Sequence, residues 1–264
     1  MNLRVNSPWW RRGTRSLGRR LFRLAENNDD PRPAHNGERW LLRQLIAAHA
    51  AGTQRAFVAC DAGANAGDYT RLILVEARGA GCPIEVHAFE PSPHNVERLR
   101  QAFVADAAVH IVRAALADQC GEAALFSGRS GSSLASLVPR RTAAVVPGET
   151  IQVPLLRLKD YLESHKVPRI DLLKLDVEGS ELAVLRGLEM ALRPEVVDVI
   201  QFEYGGTTAD AGTTLRSIYE LLEERGYKLA KLFPNALELR PYQAWMENYS
   251  YANYVAVAPR WNRH

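Results

Sequence analysis

Acidic and glycine residues follow two apolar runs in the first half of the chain, in a pattern suited to binding a nucleoside. The segment FVACDAGANAGDYT places Asp61, Gly63 and Gly67 after one run, and HAFEPSPHNVERL places Glu90 at the end of the next. Glycine permits positive φ and a close approach of the backbone to a ligand. A carboxylate at the second strand tip can accept hydrogen bonds from both ribose hydroxyls. The two segments therefore predict one nucleoside site.

The spacing of the glycines favours S-adenosylmethionine over a dinucleotide. A dinucleotide loop ordinarily reads GxGxxG and holds a pyrophosphate at the start of a helix. Here the loop reads GxxxG, and Asp61 directly before it would repel a pyrophosphate but can pair with the ammonium group of S-adenosylmethionine. A turn that needs glycine for backbone reasons alone stays open as the alternative.

A second acidic cluster follows two later apolar runs. IDLLKLDVEGSEL contains Lys174, Asp176 and Glu178, and VIQFEYGG contains Glu203. Methyl transfer to a hydroxyl requires alignment and an acceptor for the hydroxyl proton, which a carboxylate provides. We treat Asp176, Glu178 and Glu203 as unranked candidates for that base, with Lys174 as their partner. Structural ion pairing and a divalent metal, less favoured without a histidine pattern, are the alternatives.

Alternating strand and helix patterns predict the elements that bring these residues together. The fold class is α/β, with a doubly wound, seven-stranded, mostly parallel sheet and an antiparallel last strand. Between residues 121 and 155 the alternation breaks, and we expect a hairpin-like excursion at 123–126 and a strand at 151–155. The predicted main strands are 57–61, 84–90, 109–114, 170–176, 196–203, 227–233 and 251–258, and the predicted helices are 40–52, 68–78, 93–104, 158–164, 180–192 and 213–225.

The same segments, in the same order, resemble the FkbM-type methyltransferases over residues 55–258. The motifs are DAGANAGDYT, FEPSPHNVERL, VRAALAD, VPLLRLKDYL, IDLLKLDVEGSELAVLRG and IQFEY. The resemblance implies a class I, Rossmann-like methyltransferase that uses S-adenosylmethionine to methylate a hydroxyl of a sugar, glycolipid or polyketide. It departs from the family at Arg113, where many relatives carry an uncharged residue. It implies cofactor binding by Asp61, Gly63, Asn65, Gly67 and Glu90, an adenine site near Ala115 and Leu116, and an acidic motif at Lys174, Asp176, Glu178 and Gly179.

Two other function classes stay open. A nicotinamide-dependent oxidoreductase would also use the glycine loop and Glu90, although the third glycine and a YxxxK pair are missing. A noncatalytic, membrane-associated module would use the N-terminal segment, where residues 1–23 contain seven arginines and no acidic residue. Because positive charge is confined to this segment, we do not expect nucleic-acid binding.

Composition supports one α/β domain at 37–264, preceded by a basic arm and linker at 1–36. The chain has 264 residues, of which 47% are hydrophobic, and three cysteines without CxxC spacing. We therefore expect a cytoplasmic protein with no membrane span and with optional peripheral membrane contact through the arm. The oligomeric state is left open. We expect a small-molecule or glycosylated acceptor beneath the loop at 127–148, which contains Ser130, Ser132, Ser133, Arg140 and Arg141.

Overall fold

A computed structural model describes residues 9–126, 135–139 and 150–262, and it contains two sheets. The strands are β1 (Phe57–Ala62), β2 (Ile84–Phe89), β3 (Val109–Val112), β4 (Ala115–Leu116), β5 (Gly121–Phe126), β6 (Thr150–Leu156), β7 (Ile170–Leu175), β8 (Val197–Tyr204), β9 (Lys228–Phe233), β10 (Ala236–Leu239) and β11 (Ala252–Val257). The helices are α1 (Trp9–Ala25), α2 (Glu38–Gly52), α3 (Asp68–Gly79), α4 (Pro93–Ala102), α5 (Leu158–Ser164), α6 (Glu181–Gly187), α7 (Gly206–Asp210) and α8 (Leu215–Glu224).

The larger sheet has the order β10-β9-β11-β8-β7-β1-β2-β3. Strands β3, β2, β1, β7 and β8 are parallel, whereas β11 runs antiparallel to both β8 and β9. This confirms the predicted α/β fold with a mostly parallel sheet and an antiparallel last strand. Every residue of β7 is buried, as expected for a strand covered by helices on both faces.

The switch in strand order around β1 positions the candidate site. Strands β1, β2, β7 and β8 lie side by side and end at the same edge of the sheet. Ligands of such open α/β sheets bind outside the carboxyl ends of the strands. The loops that follow β1, β2, β7 and β8 contain most of the residues singled out from the sequence, so the fold brings the two predicted clusters to one edge.

The predicted strand count was wrong by one. Strand β10 pairs with β9 in a hairpin at the edge of the sheet. Its side chains are mostly exposed, so no run of apolar residues marks it in the sequence. The last two residues of the predicted third strand were also wrong: β3 ends at Val112, and Ala115 and Leu116 form β4 in a smaller sheet of order β4-β6-β5.

The helix predicted at 180–192 is shorter than expected. Helix α6 ends at Gly187, where a side chain would overlap the backbone carbonyl of Ala117. Glu189 then adopts φ of 48° and begins a short 3-10 turn. Helices α1 and α7 were not predicted at all. No helix in the described part of the chain is long and apolar enough to cross a bilayer.

Candidate functional site

A cavity of about 560 Å³ opens at the carboxyl ends of β1, β2, β7 and β8. It is lined by eight of the twelve residues that the sequence assigned to cofactor binding or to the acidic cluster, while four buried ones do not line it. The eight are Gly63, Asn65, Glu90, Ala115, Leu116, Asp176, Glu178 and Glu203, and the four are Asp61, Gly67, Lys174 and Gly179. The two predicted clusters therefore face one common space.

The Glu90 carboxylate is fixed by the glycine loop. Its Oε2 accepts a hydrogen bond from the backbone amide of Asn65 at 2.9 Å, and its Oε1 accepts from the amide of Ser92 at 2.9 Å. Burial raises its pKa above the ordinary value, against the effect of these hydrogen bonds. Gly63, at φ of 85°, packs so closely on the end of β7 that a Cβ atom would overlap the carbonyl oxygen of Asp176. The loop thus holds an acidic acceptor at the cavity wall.

Asp61 and Gly67 are buried beneath this loop and contact the helices that pack against it. The Asp61 side chain is 1% exposed and accepts a hydrogen bond from Thr70 Oγ1 at 2.6 Å. Burial raises its pKa to about 6. Gly67 adopts φ of 90° at the start of α3, where a Cβ atom would collide with the ring of Phe103. In this arrangement Asp61 contacts α3, and Gly67 allows α3 and α4 to pack closely.

The Lys174 ammonium group lies behind the cavity wall among three carboxylates. Its Nζ is 3.1 Å from Glu203 Oε1, 3.3 Å from Glu38 Oε1 and 3.7 Å from Asp176 Oδ2. A buried ammonium requires such partners, as the sequence suggested. Although burial disfavours the charged form, the facing carboxylates raise the pKa of Lys174 well above its ordinary value. Three acids against one base leave an excess of negative charge at the cavity wall.

Burial, and to a lesser extent this excess of negative charge, raises the pKa values of the Asp176 and Glu203 carboxyl groups. Loss of solvation raises the pKa of Asp176 to about 6 and that of Glu203 to about 7, and Lys174 lowers both. The Asp176 side chain is 38% exposed, and that of Glu203 is 21% exposed. Glu203 also accepts a hydrogen bond from Tyr251 Oη at 2.9 Å. Asp176 is therefore the more accessible of the two.

The loop after β7 turns the remaining acidic residues in different directions. Glu178 adopts φ of 53°, and its carbonyl oxygen accepts from Ser136 Oγ at 2.7 Å. Glu181 Oε1 accepts from the amides of Val177 and Gly179 at 3.3 and 3.2 Å. Glu181 is buried, and burial raises its pKa to about 7. Glu178 therefore does not continue the extended conformation of β7, which ends at Leu175.

Sequence reasoning missed Glu38, Tyr251 and Asn95. Glu38, at the start of α2, accepts from Gln201 Nε2 at 2.6 Å and faces Lys174. No local motif connects Glu38 to a strand that is so distant in the chain. Its position in the first turn of α2 is the only signal in the sequence. Tyr251 was interpreted as the start of the last strand, and Asn95 as one more residue of α4.

The cavity has the chemistry that a methylated nucleoside cofactor requires. The side-chain oxygens of Asn65 and Asn95 are buried beside Glu90 and lack a hydrogen-bond partner within the described part of the protein. Such oxygens can accept hydrogen bonds from the hydroxyl groups of a ligand. Ala115, Leu116 and Leu125 give an apolar surface for a purine ring. The described lining residues include six carboxylates and no Lys, Arg or His, which favours a positively charged sulfur.

Two further expectations concern metal binding and the acceptor loop. Among residues 9–126, 135–139 and 150–262, no group of three His, Cys, Asp or Glu side chains is placed to hold a metal ion. The predicted acceptor residues Ser130, Ser132, Ser133, Arg140 and Arg141 lie outside the described residues. The neighbouring Ala135, Ser136 and Leu137 line the cavity.

Comparison with known proteins agrees with this chemistry. The model of the FkbM methyltransferase domain matches residues 61–229. The chain is similar to 31-O-demethyl-FK506 methyltransferase FkbM of Streptomyces tacrolimicus, with 30% identity over 196 residues, 64% of this chain and 72% of the relative. It is 28% identical to Methyltransferase 1 of Beauveria bassiana (strain ARSEF 2860) over 191 residues, again 64% of this chain and 72% of the relative.

A solved structure gives a weaker likeness. The crystal structure of methyltransferase FkbM from Methylobacillus flagellatus KT superposes with a TM-score of 0.49 and 13% identity. The superposition covers 76% of this chain and 43% of that chain, so the present chain spans less than half of its length. The match to the family model itself covers more than half of the 264 residues.

Proposed function

Because the chain belongs to the FkbM family of methyltransferases, whose methyl donor is S-adenosylmethionine, we propose that it methylates a hydroxyl oxygen of a small-molecule or glycosylated acceptor. The observation that carries the proposal is the pair of carboxyl groups of Asp176 and Glu203 on one cavity wall. Their pKa values of about 6 and about 7 suit the acceptance of a proton near neutral pH. The name of the Streptomyces relative, 31-O-demethyl-FK506 methyltransferase, indicates methylation at oxygen in that protein and adds support. Family membership favours this function over a nicotinamide-dependent oxidoreductase.

The residues around the glycine loop would hold the cofactor. When bound, S-adenosylmethionine supplies an electrophilic methyl group on a positively charged sulfur. Glu90, with the side-chain oxygens of Asn65 and Asn95, would accept hydrogen bonds from the ribose hydroxyls. Ala115 and Leu116 would contact the adenine. The surplus of carboxylates at the ends of β7 and β8 attracts the positive charge of the sulfonium.

Asp176 is the group proposed to accept the hydroxyl proton. Its side chain is the most exposed carboxylate around Lys174, and among the residues that the structure describes it forms one ion pair, the long contact of 3.7 Å to that lysine. The bound cofactor would supply its methyl group to the acceptor oxygen, which would lose its proton in exchange. The hydroxyl proton passes to Asp176. Glu203 is held by Lys174 and Tyr251, and we assign it the role of keeping the lysine in place.

The base can be tested with an isosteric replacement. Asp176→Asn should reduce methyl transfer by about 10²–10⁴-fold, the usual contribution of a general base, and leave binding of S-adenosylhomocysteine nearly unchanged. The exposed Asp118→Asn is the matched control. In the intact protein the rate should fall as pH drops below about 6, because Asp176 becomes protonated. Retention of full activity by Asp176→Asn would rule out this assignment.

The reaction itself can be tested without knowing the acceptor. The intact protein is incubated with methyl-labelled S-adenosylmethionine and a small-molecule extract, and the labelled product is identified by mass spectrometry and NMR. A methyl group on oxygen supports the proposal, whereas a methyl group on nitrogen or carbon rejects O-methylation. Calorimetry with S-adenosylhomocysteine provides the second readout, and absence of binding by the folded protein rejects methyl transfer altogether.

A further inference from the structure

Helix α1 exposes a continuous apolar stripe that nothing in the described part of the protein covers. Trp10, Leu17, Leu21 and Leu24 follow one another at spacings of seven, four and three residues, so they share one helix face. Each is at least half exposed, from 51% for Trp10 to 80% for Leu24. No residue of the helix is buried. A soluble surface does not ordinarily present such a stripe without a partner.

The remaining surface of α1 is strongly basic. The helix contains six arginines and no acidic residue. Arg23 forms a salt bridge with Asp29 at 2.8 Å just beyond the helix. Helices with Trp and Leu on one face and arginine on the other lie in the interface of a bilayer, where long basic side chains reach the headgroups. The arginines are Arg11, Arg12, Arg15, Arg19, Arg20 and Arg23.

The end of α1 is fastened to the catalytic body beside the cavity. Glu26 Oε2 accepts from Lys231 Nζ at 3.0 Å and from Arg240 at 2.8 Å, and Lys231 is 1% exposed. The amide of Asp29 donates to the carbonyl of Tyr251 at 2.9 Å. Pro31, which follows shortly, lines the cavity itself. A membrane or other partner that binds α1 would therefore lie close to the cavity, because only a few residues separate the end of α1 from Pro31.

We propose that α1 binds the surface of a membrane that contains anionic phospholipid, with the stripe among the acyl chains and the arginines at the headgroups. Charge complementarity selects this occupant. A second copy of the chain would bring two sets of six arginines together, and the cost of that repulsion disfavours pairing through α1. A nucleic acid would neutralise the arginines but leave the stripe in water. This inference does not depend on the reaction proposed above.

Vesicle cosedimentation of the full chain tests the inference. The protein should sediment with vesicles of phosphatidylcholine and phosphatidylglycerol, bind weakly to phosphatidylcholine alone, and dissociate as salt concentration rises. The charge reversal Arg12→Glu, Arg15→Glu, Arg19→Glu and the apolar change Leu17→Ser, Leu21→Ser should each weaken partitioning by about tenfold or more.

Matched controls separate this surface from general effects of charge and apolar area. Arg98→Glu with Arg100→Glu reverses exposed charges on α4, and Val104→Ser with Met190→Ser removes exposed apolar side chains elsewhere. These controls should bind vesicles like the unmodified protein, and every variant should bind S-adenosylhomocysteine equally, which shows that it is folded. Equal binding to neutral and anionic vesicles overturns the proposal, as does unchanged vesicle binding by both α1 variants. Loss of a dimer in the Leu17 and Leu21 variant, measured by light scattering, would instead identify a second copy as the occupant.

Discussion

Replacing Lys174 by methionine removes the cation that balances three buried or half-buried carboxylates. Methionine keeps the length and most of the apolar contacts of the side chain but leaves Glu38, Asp176 and Glu203 without their shared positive partner. Breaking a buried ion pair in this way costs about 3–5 kcal/mol of unfolding free energy. For a protein of this size the melting temperature should then fall by about 6–20 °C.

The pH dependence of stability gives the sharper readout of the same variant. The pKa of Glu203 is raised from 4.5 to about 7 in the folded protein, so its contribution to stability is present below about pH 4.5 and is lost as pH rises through 7. Without Lys174 the folded pKa rises further. The unfolding free energy of Lys174→Met should therefore keep decreasing above pH 7, where the contribution of Glu203 in the unmodified protein levels off.

Chemical denaturation across pH 5–9 measures both effects, with Lys231→Met as the matched control. Lys231 is equally buried but pairs with Glu26 and Asn28, which do not line the cavity. Its replacement should lower stability without the added loss above pH 7. Adding Glu203→Gln to Lys174→Met should restore part of the stability. A loss below about 1 kcal/mol, or identical pH profiles for the two lysine variants, would refute the charge-balance argument.

Three further changes test other parts of the site. Gly63→Ala forces a Cβ atom at positive φ against the Asp176 carbonyl and should cost about 2 kcal/mol or more by denaturation, whereas Gly52→Ala, which has open space, should change little. Glu90→Ala should weaken calorimetric binding of S-adenosylhomocysteine by about tenfold or more; unchanged affinity would remove Glu90 from the cofactor site. As pH rises from 4 to 8, the unfolding free energy of Glu181→Gln should increase by up to about 3 kcal/mol relative to that of the unmodified protein, because the pKa of Glu181 is raised to about 7. Parallel plots of unfolding free energy against pH for the two proteins would contradict this.

The sequence predicted which residues lie at the ends of the strands better than it predicted the directions of their side chains. Glu90, Asp176 and Glu203 end strands whose apolar runs are unmistakable, so their meeting at one edge follows from the strand order. The same spacing placed Asp61 at the cofactor, yet the backbone turns its carboxylate toward Thr70. A side-chain direction of this kind depends on how α3 packs, which the pattern of residue types does not encode.

Contacts between distant segments were the main omission. Glu38 reaches Lys174 because α2 packs against the same sheet, and Tyr251 reaches Glu203 because β11 pairs with β8. Neither partnership leaves a local spacing in the chain. The edge strand β10 was missed for a related reason: it is mostly exposed, and burial is what produces the periodic apolar pattern from which strands are predicted. Helix α1 was missed although its apolar residues recur at helical spacing.

The most direct measurement is a crystal structure of the intact protein with S-adenosylhomocysteine. The account predicts the ribose hydroxyls within hydrogen-bonding distance of the Glu90 carboxylate and the sulfur directed toward Asp176 at the end of β7. A ligand seated outside this cavity, or one whose sulfur points away from Asp176 and Glu203, would contradict it.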